Sequence, residues 1–227
     1  ELDDTRECGR KLPFPALRED APRAGLKAIW NLLCRNRGGG TFEYLAHGLR
    51  GSGPNPHRTY IINGRKGYGR HGIGLRMLFL APGDQKDNEM MGWLPLARNQ
   101  DESIYMYNMQ MRRARRGSTN RADKMIGTFL KREQEWGWEA PYHVYNWQLL
   151  GTRPVLTVLN SQRTFPRYLS PHHWFPDDRW LVRSAFVVVG QRAHPGAGSE
   201  HVAIWLDNAT FEPLWVVSYT VEGIAQD

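Results

Sequence analysis

Three stretches of the sequence gather side chains that could do chemistry. In "SPHHWFPDD", His172 and His173 stand shortly before Asp177 and Asp178. A metal needs such groups to converge, usually at helical or knuckle spacing. Adjacent histidines on a strand point to opposite faces, so neither a metal site nor a cofactor is expected. In "KREQEWGWE", Glu133, Glu135 and Glu139 lie beside Trp136 and Trp138, a composition seen where sugars bind. Two carboxylates must sit at a defined separation to hydrolyse a glycoside, and a solvated helix face carries the same residues. The sequence holds no G-x-S-x-G elbow, H-E-x-x-H pair, P-loop or dinucleotide fingerprint. No catalytic residue is assigned, and the chain is read as non-enzymatic.

The third stretch is "IYMYNMQMRRARRGSTNR", residues 104–121. Arginines interleaved with aromatics are what a single-stranded nucleic-acid groove uses. Read as one strand, however, Tyr105, Tyr107, Met109 and Met111 share a face by period two. Arg113 and Arg115 continue that face, whereas Arg112 and Arg116 fall on the other. This split argues against a phosphate-tracking stripe, so no nucleic-acid partner is expected. Two readings stay open: a solvated strand end, or an anion site at the mouth of an apolar cavity. The methionines, with Met90 and Met91 upstream, give an adaptable surface that suits variable ligands or an ordinary core.

The elements must place these groups. The 227 residues carry 41% hydrophobic side chains, 23 Gly, 14 Pro, nine Trp and nine Tyr. That composition favours short strands joined by turns. A formal charge of +7 attracts anionic partners. No apolar run approaches the roughly 20 residues of a membrane-spanning helix. The opening "ELDDTRECG" holds no signal peptide and reads as the start of a mature or trimmed product.

"DAPRAGLKAIWNLLCRNRGGG" is the clearest helix. Asp20 is placed to cap it, Pro22 fits its first turn, and Leu26, Ile29, Trp30 and Leu33 form its stripe. About nine strands follow, in "TFEYLAHGLR", "HRTYIING", "GLRMLFLAP", "SIYMYNMQMRR", "HVYNWQLLG", "RPVLTVLNS", "RWLVRSAFVVVG", "HVAIWLDNA" and "PLWVVSY". Most joints are of hairpin length, which predicts an antiparallel meander. The exception is Ser118 to Trp138, read as a helical insertion. The chain is expected to form one domain over residues 1–227, with residues 1–19 as an extended arm.

Several strands are apolar on both faces. Such a sheet is covered on both sides or curls round something apolar. Either a packed core or a ligand cavity satisfies that pattern. Cys8 and Cys34 lack metal-ligand spacing; a bridge would close about 25 residues and stabilise by roughly 3 kcal/mol, and two unrelated thiols fit equally.

Several segments, taken in order, resemble a family of Gram-negative periplasmic proteins of unassigned function, related to the outer-membrane lipoprotein carriers LolA and LolB. "LPFPALREDAPRAGLKAIWNLLCRNRGG" is similar to the family's PFP…WNH…RYRG segment, and "IYMYNMQMRRARR" to its arginine-ended strand. "YNWQLLGTRPVL" and "AIWLDNATFEPLWVVSY" resemble two later strands and a hairpin. The resemblance runs from about Leu12 to Tyr219.

It implies a mainly β, α+β fold: a strongly curved antiparallel half-barrel, covered by the N-terminal helix and a helical lid at Ser118 to Trp138. It also implies a periplasmic carrier or chaperone for a lipid, a lipoprotein acyl chain or another hydrophobic molecule, in peripheral contact with membranes and with an exporter or outer-membrane acceptor as partner. Tyr105, Tyr107, Met109, Met111, Tyr145, Trp147, Phe186, Val188 and Trp205 would then line the cavity. Arg113 and Arg115 would meet an anionic head group at its rim, and the cysteines would form a disulfide. The alternatives are a docking module for an exporter, plugged by its own side chains, and, weakest, a hydrolase of an envelope polymer acting through the three glutamates.

Overall fold

The computed structural model describes residues 14–35, 40–51, 53–68, 72–95, 101–119, 131, 133, 138, 142–194 and 201–219. Helix α1 (Ala24–Cys34) comes first. Then β1 (Thr41–Arg50), β2 (Arg58–Tyr68), β3 (Gly72–Ala81), β4 (Glu89–Pro95), β5 (Ser103–Asn108) and β6 (Arg113–Arg116) form a six-stranded sheet in chain order. After a 3-10 turn (Tyr142–Val144), β7 (Tyr145–Val158), β8 (Trp180–Arg192), β9 (His201–Asp207) and β10 (Pro213–Tyr219) form a second, four-stranded sheet. Among the described residues every strand pairing is antiparallel.

The fold is thus mainly β with a helix, as expected. It differs from a single half-barrel sheet: among the described residues there are two open sheets. The first ends at β6, whose sequence is RARR and whose residues are all exposed. A short, charged edge strand discourages further pairing. Most of the expected lid lies outside the described residues, which include only Ser118, Thr119, Lys131, Glu133 and Trp138 of it.

Among the described residues ten strands stand against the nine expected, for three reasons. "EMMGWLP", to which the sequence pattern assigns no element, forms β4. Gly92 is needed there: an added Cβ would come within 2.6 Å of Ile104 Cδ1. "HVYNWQLLG" and "RPVLTVLNS" are one strand, β7, whose register slips between Leu149 and Gly151. Gly151 takes a φ of 114° at this bulge. Pro154 is tolerated because β7 is an edge strand. Finally, "SIYMYNMQMRR" is not one strand but the β5–β6 hairpin. Asn108 Oδ1 accepts from Met111 N at 2.8 Å, and Arg112 adopts a φ of 49° to complete the reversal.

Helix α1 lacks its expected cap. Arg23, with a φ of 56°, occupies the N-cap position without a side-chain bond, while Asp20 pairs with Arg18 at 2.6 Å. Tertiary contacts hold the helix instead. Gly25 lies against β7 so closely that a Cβ would come within 2.7 Å of the Trp147 and Gln148 backbone. Asn31, fully buried, accepts from Phe14 N at 2.9 Å and donates to Phe14 O at 2.7 Å. At the C-terminal end Arg35 pairs with Glu212 at 2.8 Å. Gly25, Ala28, Ile29 and Leu32 are more buried than Leu26 and Leu33, so the docked face is rotated from the expected stripe. Cys34 is disulfide-bonded; Cys8, the other cysteine of the sequence, lies outside the described residues.

The 159–179 connection reaches across to the first sheet. Trp174 Nε1 donates to Pro54 O at 3.0 Å, and the His47 ring stands 6.4 Å from those of Phe165 and Tyr168. Burial lowers the pKa of His47 and raises that of Tyr168.

Candidate functional site: two apolar sheet faces

Each sheet buries one apolar face, and the two are filled differently. On the four-stranded sheet, Ala28, Ile29 and Leu32 of α1 pack into Phe186, Val188, Val202, Ile204, Leu206 and Phe211. The aromatic side of this cluster is continuous: Trp138 lies 5.3 Å from Tyr145, Tyr145 lies 5.3 Å from Trp147, and Trp30 lies 4.7 Å from Tyr142. A buried ion pair closes it. Arg192 Nη2 lies 3.4 Å from Glu133 Oε2, donates to Tyr145 Oη at 2.8 Å, and stacks over that ring. The buried indole nitrogens of Trp30 and Trp138 find no hydrogen-bond acceptor among the described residues.

The six-stranded sheet buries Ile62, Leu75, Met77, Phe79, Met90, Leu94, Ile104 and Met106. Strand register lines up one row across all six strands: Tyr44, Gly64, Met77, Met90, Met106 and Arg115. Gly64 makes room for the Tyr44 ring, which a Cβ there would strike. Three unbranched, polarizable side chains therefore form the middle of the row. It ends at an exposed guanidinium, whose Arg115 Nη2 lies 3.0 Å from Met111 Sδ. Among the described residues, everything packed into this cluster comes from the sheet itself.

The expected cavity residues do not come together. Tyr145, Trp147, Phe186 and Val188 share the α1-covered cluster. Trp205 pairs with Val187 and so lies on the opposite face of that sheet from Val188. Tyr105, 50% exposed, and Tyr107 lie on the face of β5 opposite Met106, and Met109 and Met111 are exposed in the turn. Because the turn reverses the chain, Arg113 and Arg115 face Asn108 and Met106, not the tyrosines. Sequence reasoning missed Tyr44, Met77, Met90 and Met106 as one row. The period-two spacing of Leu75, Met77 and Phe79 in β3 was the available signal.

Of the other reactive residues, one glutamate is held in the core and the paired histidines are on the surface. Glu133 is held by Arg192, while Glu135 and Glu139 lie outside the described residues. His172 and His173 are exposed on the 159–179 connection. Among the described residues no three His, Cys, Asp or Glu side chains converge as metal ligands, and no helix is long and apolar enough to cross a membrane. At the β9–β10 turn, burial works to raise the Asp207 pKa. Arg183 at 2.7 Å and the Ala209 and Thr210 donors outweigh it and hold the carboxyl below its usual range.

Residues 56–224 match the family described as "Protein of unknown function (DUF1329)". Two solved structures share the fold. One is a candidate outer membrane lipoprotein-sorting protein domain from Vibrio parahaemolyticus: 16% identity, TM-score 0.59, over 88% of this chain and 74% of that one. The other is a DUF1329 family protein from Desulfovibrio piger: 12% identity, TM-score 0.57, over 89% and 75%. A LolA superfamily protein from Nitrosomonas europaea lies further off, at 10% identity and a TM-score of 0.38. No curated protein matches the chain.

Proposed function

The chain belongs to the DUF1329 family, and from that premise we propose that it is a non-enzymatic periplasmic carrier or chaperone that holds an acyl chain of a lipid or lipoprotein. The observation that carries this reading is the in-register row Tyr44, Gly64, Met77, Met90, Met106, Arg115. Its methionines can reshape around chains of different length and branching. Each methylene removed from water contributes about 0.8 kcal/mol, so a few suffice for binding. Arg115, and Arg113 beside it on the same face, would meet an anionic head group at the end of the row. The shared fold of a candidate lipoprotein-sorting domain supports the same reading.

A second reading has its own observation. Met77, Met90 and Met106 are already buried, as they would be in a docking module that fills its interior with its own side chains and serves an exporter or acceptor.

Native mass spectrometry of gently purified protein, with organic extraction, separates the two. A co-purified amphiphile and uptake of a fluorescent fatty acid are expected of the carrier. Arg115→Glu should then weaken fatty-acid binding by about tenfold, the size of a charge-assisted contact, with the melting temperature unchanged. A clean apo mass together with no uptake leaves the docking reading standing and ends the carrier one.

A further inference from the structure

The end of the β7–β8 hairpin exposes an unusual amount of apolar surface. Val182 is 66% exposed and Leu156, its register partner, 53%. Val182 belongs to the face of β8 that continues inward as Phe186 and Val188, where α1 covers it. The patch extends through rings in contact. Trp180 stacks 6.4 Å from Trp215 and meets Phe175 edge-on at 6.2 Å. Phe175 is 54% exposed, and its carbonyl accepts from Leu169 N, another exposed apolar residue. The indole donors are used internally, Trp180 Nε1 to Pro176 O at 3.0 Å and Trp215 Nε1 to Leu156 O at 2.9 Å. The rings therefore present apolar edges without an unmet polar group.

The same segment is rich in positive charge. Residues 153–183 hold five arginines against two aspartates, with no lysine or glutamate. Arg163 pairs with Asp177 and Arg183 with Asp207. Arg153, Arg167 and Arg179 have no carboxylate partner among the described residues.

We propose that this hairpin end docks the protein on an anionic lipid surface, with Leu156, Leu169, Phe175 and Val182 entering the boundary between head groups and acyl chains and the free arginines meeting phosphates. Exposed aliphatic side chains and aromatic rings on a segment rich in arginine suit a bilayer interface, where apolar groups and cations are both satisfied. An acidic peptide would satisfy the arginines but leave aliphatic side chains on two strands and a loop without a matching surface. The exposed apolar residues of the other sheet, Met91, Trp93 and Tyr105, form a comparison patch. There Arg76 is already neutralised by Glu89 at 2.6 Å.

The test is co-sedimentation of the full chain with vesicles of phosphatidylglycerol and phosphatidylethanolamine, against vesicles of phosphatidylcholine. Binding is expected to the anionic vesicles and to fall as salt screens the arginines. The variant L169S/F175S/V182T should reduce it at least about tenfold. R153Q/R167Q/R179Q, which alters exposed side chains alone, should reduce it by roughly fivefold per arginine that reaches the surface. M91S/W93S/Y105S should leave it within about twofold. Melting curves check that each variant folds. Failure to bind anionic vesicles overturns the proposal, as does binding that both hairpin variants leave intact. Self-association abolished by those variants, without vesicle binding, would make the patch a contact between copies and overturn it too.

Discussion

The two sheets solve the same problem with different side chains. The four-stranded sheet covers its buried face with α1, using branched aliphatics and interlocked rings, and locks one edge with the Arg192–Glu133 pair. The six-stranded sheet lines the centre of its buried face with methionines in register and places its ion pairs, such as Arg76–Glu89 and Arg58–Asp84, towards solvent. The contrast separates a part built for one packing from a part able to accept several, since branched and aromatic side chains have few rotamers and methionine has many.

The largest test of that contrast removes the locked charge. Arg192→Ala removes the guanidinium that buried Glu133 faces and should cost about 3–5 kcal/mol in urea unfolding. Asp84→Asn on the other sheet, where the carboxylate is exposed, should change stability little. Next come the cores. Leu32→Ala at the α1 interface should cost about 2–5 kcal/mol. Met90→Leu, a volume-conserving change, should cost less than about 1.5 kcal/mol. If fatty acid is bound, the leucine should also narrow the range of chains taken up; an unchanged range would erase the distinction between the faces. The smallest effect is on pH. The Asp207 carboxyl sits below its usual range, so its contribution is present above about pH 4 and is lost as pH falls towards its folded value. Asp207→Asn should flatten that acid limb and lower stability at pH 7, as read from melting temperature against pH.

Much of the fold was legible in the residue pattern. "TFEYLAHGLR" is β1 from end to end, and the helix lies within its expected segment, because alternation and the 3.6-residue stripe survive tertiary context. The misses have local causes. Asp20 lost the cap to a salt bridge with Arg18, an alternative that sequence spacing does not rank. Gly151 read as the boundary between two strands, whereas a bulge keeps β7 continuous. The candidate site was less legible. A turn of four residues reversed the chain after Asn108 and moved Arg113 and Arg115 to the face of Met106.

From the sequence alone came the element types, the order of motifs that marks the family, and the division of each strand into two faces. Tertiary structure alone decided which face is buried, that two sheets form, and that Met77, Met90 and Met106 align. The physical reason is that period two assigns residues to faces within a strand. Register between strands, and the choice of the covered face, depend on turns and on packing partners distant in the chain.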